Sequence, residues 1–274
     1  MSSGELPAWS EAFTADRLES VRPLRLPAPI TRDWAWGEGR GAGVRVAVVD
    51  SGVDAAHPAV GPLHGGVVLE PDGDAAAGIR VVPGRHDDLY GHGTACAAII
   101  RGLAPDCELY SVRVLGPTLT GRGKVFAAGL EWAIENGMDV VNLSLSTRSR
   151  ANLETFYELV DRAAFHNVML VCAVNNVPAP SYPSQFAGVF SVAAYAGRDP
   201  EHFVVNPQPP VEFGAPGIDL KVAWATGGFI VATGNSFAAP HIAGLLARII
   251  GRHRPITTGE AKAVLRALAD NVES

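Results

Sequence analysis

Three short stretches of the chain carry side chains that could share one reaction. Val46-Ala47-Val48-Val49-Asp50-Ser51-Gly52 ends an apolar run in a carboxylate and follows it with a glycine that permits a tight turn. Tyr90-Gly91-His92-Gly93-Thr94-Ala95 sets a histidine between glycines at the start of an alanine-rich helical pattern. Thr233-Gly234-Asn235-Ser236-Phe237-Ala238-Ala239-Pro240-His241 delivers a serine to the first turn of an apolar helix. There its hydroxyl would be exposed and its backbone N–H would face any developing negative charge. A neutral imidazole is the usual general base near neutral pH, a carboxylate can orient it, and a hydroxyl it deprotonates becomes a nucleophile. Each stretch also has an ordinary reading: Asp50 as a turn or cap residue, His92 as a structural histidine, Ser236 as a helix N-cap. Pro240 would be tolerated because the first helical N–H groups lack intrahelical acceptors.

The surrounding pattern indicates what must position these residues. Short β-branched runs at residues 44–50, 108–115, 139–145, 168–174 and 189–194 read as strands. Helical patterns occupy residues 93–101, 124–136, 153–165, 236–252 and 259–271. Strands apolar on both faces and separated by helices predict an α/β fold with a parallel sheet covered on both sides. In such sheets ligands bind beyond the carboxyl ends of the strands, where Asp50 would sit.

Taken together and in the order Asp, His, Ser, the three blocks resemble the subtilisin family of serine peptidases (subtilases). Gly102-Leu103-Ala104-Pro105, Asn142-Leu143-Ser144-Leu145 and Ala215-Pro216-Gly217 extend the resemblance from about residue 30 to 252. It implies a three-layer αβα subtilisin-like fold with a central, mostly parallel sheet. It also implies peptide-bond hydrolysis through an acyl-enzyme on Ser236, with His92 as base and Asp50 as its orienting carboxylate. The family's oxyanion asparagine falls at Asn175 when the preceding strand is aligned, with Asn176 as the other register.

Several positions depart from the family's pattern. The nucleophile block usually reads Gly-Thr-Ser-Met-Ala, so Asn235 and Phe237 differ. The substrate-binding strand usually continues Ser-Leu-Gly-Gly, whereas here Ser144-Leu145-Ser146-Thr147 stands. Val174 takes the place of a glycine before the oxyanion asparagine. By resemblance Ser144, Leu145, Ser146 and Val174 line the substrate site, and the added side chains imply restricted specificity with small or medium P1 residues. The helix after His92 leaves no room for the calcium loop of many secreted relatives. No metal and no cofactor are expected. Residues 1–28 read as a proline-punctuated N-terminal arm and 29–274 as the peptidase domain, an organisation that resembles short intracellular members without a prodomain. The arm is either a cleft cover or an ordinary surface-docked terminus.

Composition narrows the setting. The 274 residues carry a formal charge of −6 and a pI near 5.7, with basic residues scattered, which argues against nucleic acid or an anionic membrane as partner. The expected partner is a peptide or protein substrate, and a monomer is expected. Cys96, Cys107 and Cys172 lack zinc or redox spacing and read as buried thiols. With no signal-like or membrane-length apolar run, a cytoplasmic location is expected. His57 and His241 read as packing or locally bonded residues. Two other classes compete with a hydrolase: a peptide-binding module with little turnover, and a transpeptidase or macrocyclase working through the same acyl-enzyme.

Overall fold

The computed structural model describes residues 29–75, 78–84 and 87–272, together with Ser10, Thr14, Asp16, Arg17 and Pro27. Met1–Ile30 and Thr31–Ser274 form separate compact units, and the second carries the architecture below. The choice between an arm that covers the cleft and an ordinary surface-docked terminus falls mostly on residues outside those described.

The second unit runs α1 (Arg32–Ala35), β1 (Arg45–Asp50), β2 (Gly65–Pro71), β3 (Ile79–Pro83), α2 (His92–Leu103), β4 (Glu108–Arg113), α3 (Gly123–Glu135), β5 (Val140–Leu143) and α4 (Leu153–Phe165). It continues with β6 (Met169–Ala173), β7 (Phe190–Tyr195), β8 (Val204–Val205), β9 (Phe213–Pro216), β10 (Leu220–Trp224), β11 (Gly228–Ala232), α5 (Asn235–His253) and α6 (Thr258–Leu268). Nine strands form one sheet in the order β3-β2-β4-β1-β5-β6-β7-β9-β8, and β10 and β11 make a separate ribbon. All pairings in the large sheet are parallel except β2–β3 and β8–β9 at its two edges. The fold is therefore the three-layer α/β arrangement expected.

Side-chain alternation along the central strands feeds two cores. Ala47 and Val49 of β1, Val141 and Leu143 of β5, and Leu170 and Cys172 of β6 face α3 and α4. On α4 the buried residues Phe156, Leu159, Val160 and Ala163 fall at the i, i+3, i+4, i+7 spacing of one helical face. α5 differs in being buried on all sides from Phe237 to Ile250, so it is a core helix on the opposite face of the sheet, packed beside α2. Asp50 shares the parity of Val46 and Val48, which aims it toward that α2–α5 layer.

The structure trims several expected elements. β4 stops at Arg113 because the N–H groups of Val114 and Leu115 both turn to the Asp50 carbonyl, at 2.9 and 3.1 Å. β5 stops at Leu143, since Thr147 pairs instead with Tyr182 in an isolated antiparallel bridge. α6 ends at Leu268, three residues early, because Asp270 N donates to the Phe203 carbonyl while its carboxylate accepts from Phe203 N. The strand β2, the edge strands β3 and β8, the strand β9 and the ribbon β10–β11 were not expected. β2 begins in Gly65-Gly66, which leaves only Val67-Val68-Leu69 as its buried apolar run, and β11 is largely exposed.

Candidate active site

Asp50 is the last residue of β1 and is fully buried. Its Oδ1 accepts from Ser51 N at 2.7 Å, and both carboxylate oxygens lie 2.9 Å from His92 Nδ1. An acceptor-only carboxylate at that distance fixes the proton on Nδ1 and leaves Nε2 as the basic nitrogen. His92 is the first residue of α2, and this close approach needs a glycine next to it: a Cβ on Gly93 would stand 2.0 Å from the Gly52 carbonyl oxygen. Burial opposes an imidazolium here. The Asp50 charge and hydrogen bond, with the Asp88 charge added, outweigh that and raise the His92 pKa above its ordinary value. Cys96, one helical turn on, brings its sulfur within 4.8 Å of the ligand atoms of Asp50 and His92. Burial pushes its thiol pKa well up, so it stays a protonated packing group. Cys107 and Cys172 are also buried free thiols.

Ser236 is the second residue of α5, half-buried, and faces the same cleft as His92. At that position a helical N–H has no intrahelical acceptor and points outward with the positive end of the helix dipole. Pro240 has a role that the sequence reading placed wrongly. It is the sixth residue of the helix, where an N–H would have bonded the Ser236 carbonyl; proline removes that donor. The freed carbonyl accepts from Ser144 Oγ at 2.7 Å and from Cys96 Sγ at 3.6 Å. Ser144 Oγ in turn accepts from Asn142 Nδ2 at 2.9 Å. Ser144 thus reaches the Ser236 backbone through its hydroxyl while still lining the cleft.

Asn235 explains one departure from the family's block. Its Oδ1 accepts from Ala194 N at 2.8 Å, and its Nδ2 donates to the carbonyls of Val174 and Asn175 at 3.2 and 3.1 Å. Its own N–H donates to Asn176 Oδ1 at 2.9 Å. The residue before Ser236 therefore clasps the end of β6. Asn175 is held on three sides: its N–H donates to Ser181 Oγ at 3.3 Å, its carbonyl takes Asn235, and its Oδ1 accepts from Val177 N at 2.9 Å. The side-chain group left over is Nδ2, a donor beside the cleft. Asn176, the other register, spends its Oδ1 on the Asn235 backbone.

The cleft is about 370 Å³ in volume. Its lining brings together His92, Ser236, Asn175, Ser144, Leu145, Ser146 and Val174, with Asp50 buried behind His92. The opposite wall consists of residues 119–123 and Phe126, which the sequence reading missed. Leu119 is a non-glycine residue at φ 55°, a conformation that leaves little trace in residue type. Of the other histidines singled out, His57 is fully buried, accepts from Ala59 N and donates to the Gly228 carbonyl. His241 donates from Nδ1 to the Phe237 carbonyl. Both are the locally bonded packing residues expected. No helix among the described residues is long and apolar enough to cross a membrane.

Comparison with known proteins agrees with this geometry. Residues 41–273 match the Subtilase family. The chain is 32% identical over 233 residues to a thermostable alkaline protease of Halalkalibacterium halodurans, covering 81% of this chain and 61% of that protein. It is 30% identical over 246 residues to subtilisin E of Bacillus subtilis, covering 84% and 61%. Against a subtilisin of Bacillus pumilus the identity is again 30%, over 84% of each chain. The chain thus spans about three fifths of the length of the first two of these relatives. Among solved structures it is similar to a cold adapted subtilisin-like serine proteinase, with a TM-score of 0.70, 25% identity, and coverage of 91% and 89%. A family match that runs through most of the described residues, on a fold whose strand ends gather the same three blocks, leaves one conclusion: the chain belongs to the subtilase family.

Proposed function

We propose that this chain is a serine endopeptidase that hydrolyses peptide bonds with Ser236 as nucleophile, His92 as base and Asp50 as orienting carboxylate. The observation that carries the reading is the buried His92 Nδ1, held 2.9 Å from both Asp50 oxygens at the wall of the cleft that Ser236 enters from a helix N-terminus. His92 Nε2 takes the Ser236 proton as Oγ attacks the scissile carbonyl. The Ser236 N–H and Asn175 Nδ2 stabilise the oxyanion, which forms without donor reorganisation. Collapse of the intermediate expels the amine, protonated by His92, and water then releases the acyl group by the same steps. A fluorophosphonate probe tests this directly, because it labels an activated serine whatever the preferred substrate.

The substrate lies extended along residues 144–146, adding a strand beyond the end of β5. Val174 and Ser146 carry side chains where the family's usual glycines would leave space, so cleavage is restricted to small or medium P1 residues. Peptide-library cleavage should show Ala, Ser or Val ahead of aromatic residues at P1. A profile dominated by Phe, Tyr or Leu would refute the restriction while leaving the hydrolase intact.

A further inference from the structure

The loop before α2 holds a carboxylate, Asp88, that the reaction above does not use. Asp88 Oδ1 accepts from Ser51 Oγ at 2.7 Å, Gly91 N at 2.8 Å and Tyr90 N at 3.0 Å. Its Oδ2 accepts from Thr94 N at 2.8 Å and Thr94 Oγ1 at 2.7 Å. These donors all border the candidate triad. Ser51 follows Asp50, Gly91 precedes His92, and Thr94 is in the first turn of α2. The stitching continues beyond them: Ser51 Oγ accepts from Gly93 N at 3.2 Å, and Thr94 Oγ1 accepts from Asp54 N at 2.9 Å.

α2 has a particular need for such an acceptor. Its N-cap is Gly91, at φ 114°, which offers no side-chain oxygen to the open first-turn amides. Asp88 supplies that oxygen from three residues earlier and, unlike an ordinary cap, bonds the strand exit at Ser51 as well. We propose that Asp88 is a positioning residue of this active site, fixing the β1 exit against the α2 entry and so holding His92 in register with Asp50. The proposal rests on the triad assigned above.

Other groups facing His92 among the described residues are few. Asp50 comes from β1, the neutral Cys96 thiol from α2 itself, and Ser236 and the Phe237 ring, 5.3 Å from the imidazole, from α5. Asp50 and Asp88 are the two charges that raise the His92 pKa. A carboxylate that merely capped α2 would affect stability and, though its charge would still act on His92, its loss would leave kcat of folded protein unchanged at pH values above the His92 titration.

The test uses the full chain, with Asp88→Asn, which keeps the shape and removes the charge, and Ser51→Ala, which removes one donor and keeps the charge. NMR titration of the His92 imidazole, kcat and KM against pH, and thermal melting are recorded for both. In Asp88→Asn, His92 should titrate lower, and the acid limb of kcat/KM should move down with it. Turnover should fall about tenfold with KM nearly unchanged. Ser51→Ala should lower kcat by a smaller factor without moving the limb. Unchanged kcat above the His92 titration in folded Asp88→Asn, or a fall in melting temperature alone, would overturn the proposal. Should Asp88→Asn not fold, parental kcat in Ser51→Ala would overturn it equally. If the parent hydrolyses nothing, the peptidase reading fails and the role of Asp88 falls with it.

Discussion

At the scale of single residues, the account depends on groups left over once local bonding is complete. Asn175 has its N–H, its carbonyl and its Oδ1 engaged within the protein, and among the described residues Nδ2 is the donor left for the proposed oxyanion contact. Asn175→Ala should therefore lower kcat by ~10²–10³ with a small effect on KM, a magnitude taken over from subtilisin itself. Steady-state kinetics on a peptide substrate checks this, and an unchanged kcat would remove Asn175 from the mechanism. The three residues proposed to react stood out in the sequence because the proposed chemistry demands fixed types beside glycines and strand ends. Asp88 did not, since an acid in a polar loop looks like any turn residue, and its five donors come from Ser51, Tyr90, Gly91 and Thr94 only after folding.

At the scale of elements, α5 is held to the sheet by its first residues rather than by its length alone. Pro240 frees the Ser236 carbonyl for Ser144, and Asn235 bonds the ends of β6 and β7 through Val174, Asn175 and Ala194. Asn235→Ala leaves one N–H and two carbonyls short of that partner, so it should cost about 1–3 kcal/mol in denaturant unfolding. It should also lower kcat, because the serine and the oxyanion donor lose their common tether. Parental stability and turnover would contradict the clasp. The central strands were readable as unbroken apolar runs, and α4 was recovered at both ends. β5 was read two residues too far at its C-terminal end because Ser144 and Leu145 continue its apolar texture while the ladder ends at Leu143. No pattern rule shows that Thr147 will pair with Tyr182.

At the scale of the whole molecule, the buried α5 gives stability a pH dependence. Burial lowers the His241 pKa from 6.5 to about 4 in the folded protein. Between those values the unfolded chain binds a proton that the folded chain refuses, so stability falls as pH drops through that window, by roughly 3 kcal/mol at most. His92 acts in the opposite sense. Its raised pKa contributes stability that is fully present below the ordinary histidine value and lost as pH rises through the folded one. Urea unfolding of the parent and of His241→Gln at several pH values between 4 and 7 should show a shallower slope in the variant. Equal slopes would assign the acid sensitivity elsewhere. The three-layer plan was readable from strand and helix alternation, whereas the antiparallel edges β3 and β8 were not. β8 has two residues, and β3 is mostly exposed, so neither contributes a core-like pattern.

Labelling with a fluorophosphonate, read by intact mass on the natural sequence and on Ser236→Ala, tests the central claim most directly. The account predicts one adduct on the natural sequence and none on the variant, with labelling that weakens as pH drops below the His92 pKa. Absence of an adduct on folded natural protein, or equal labelling of Ser236→Ala, would contradict it.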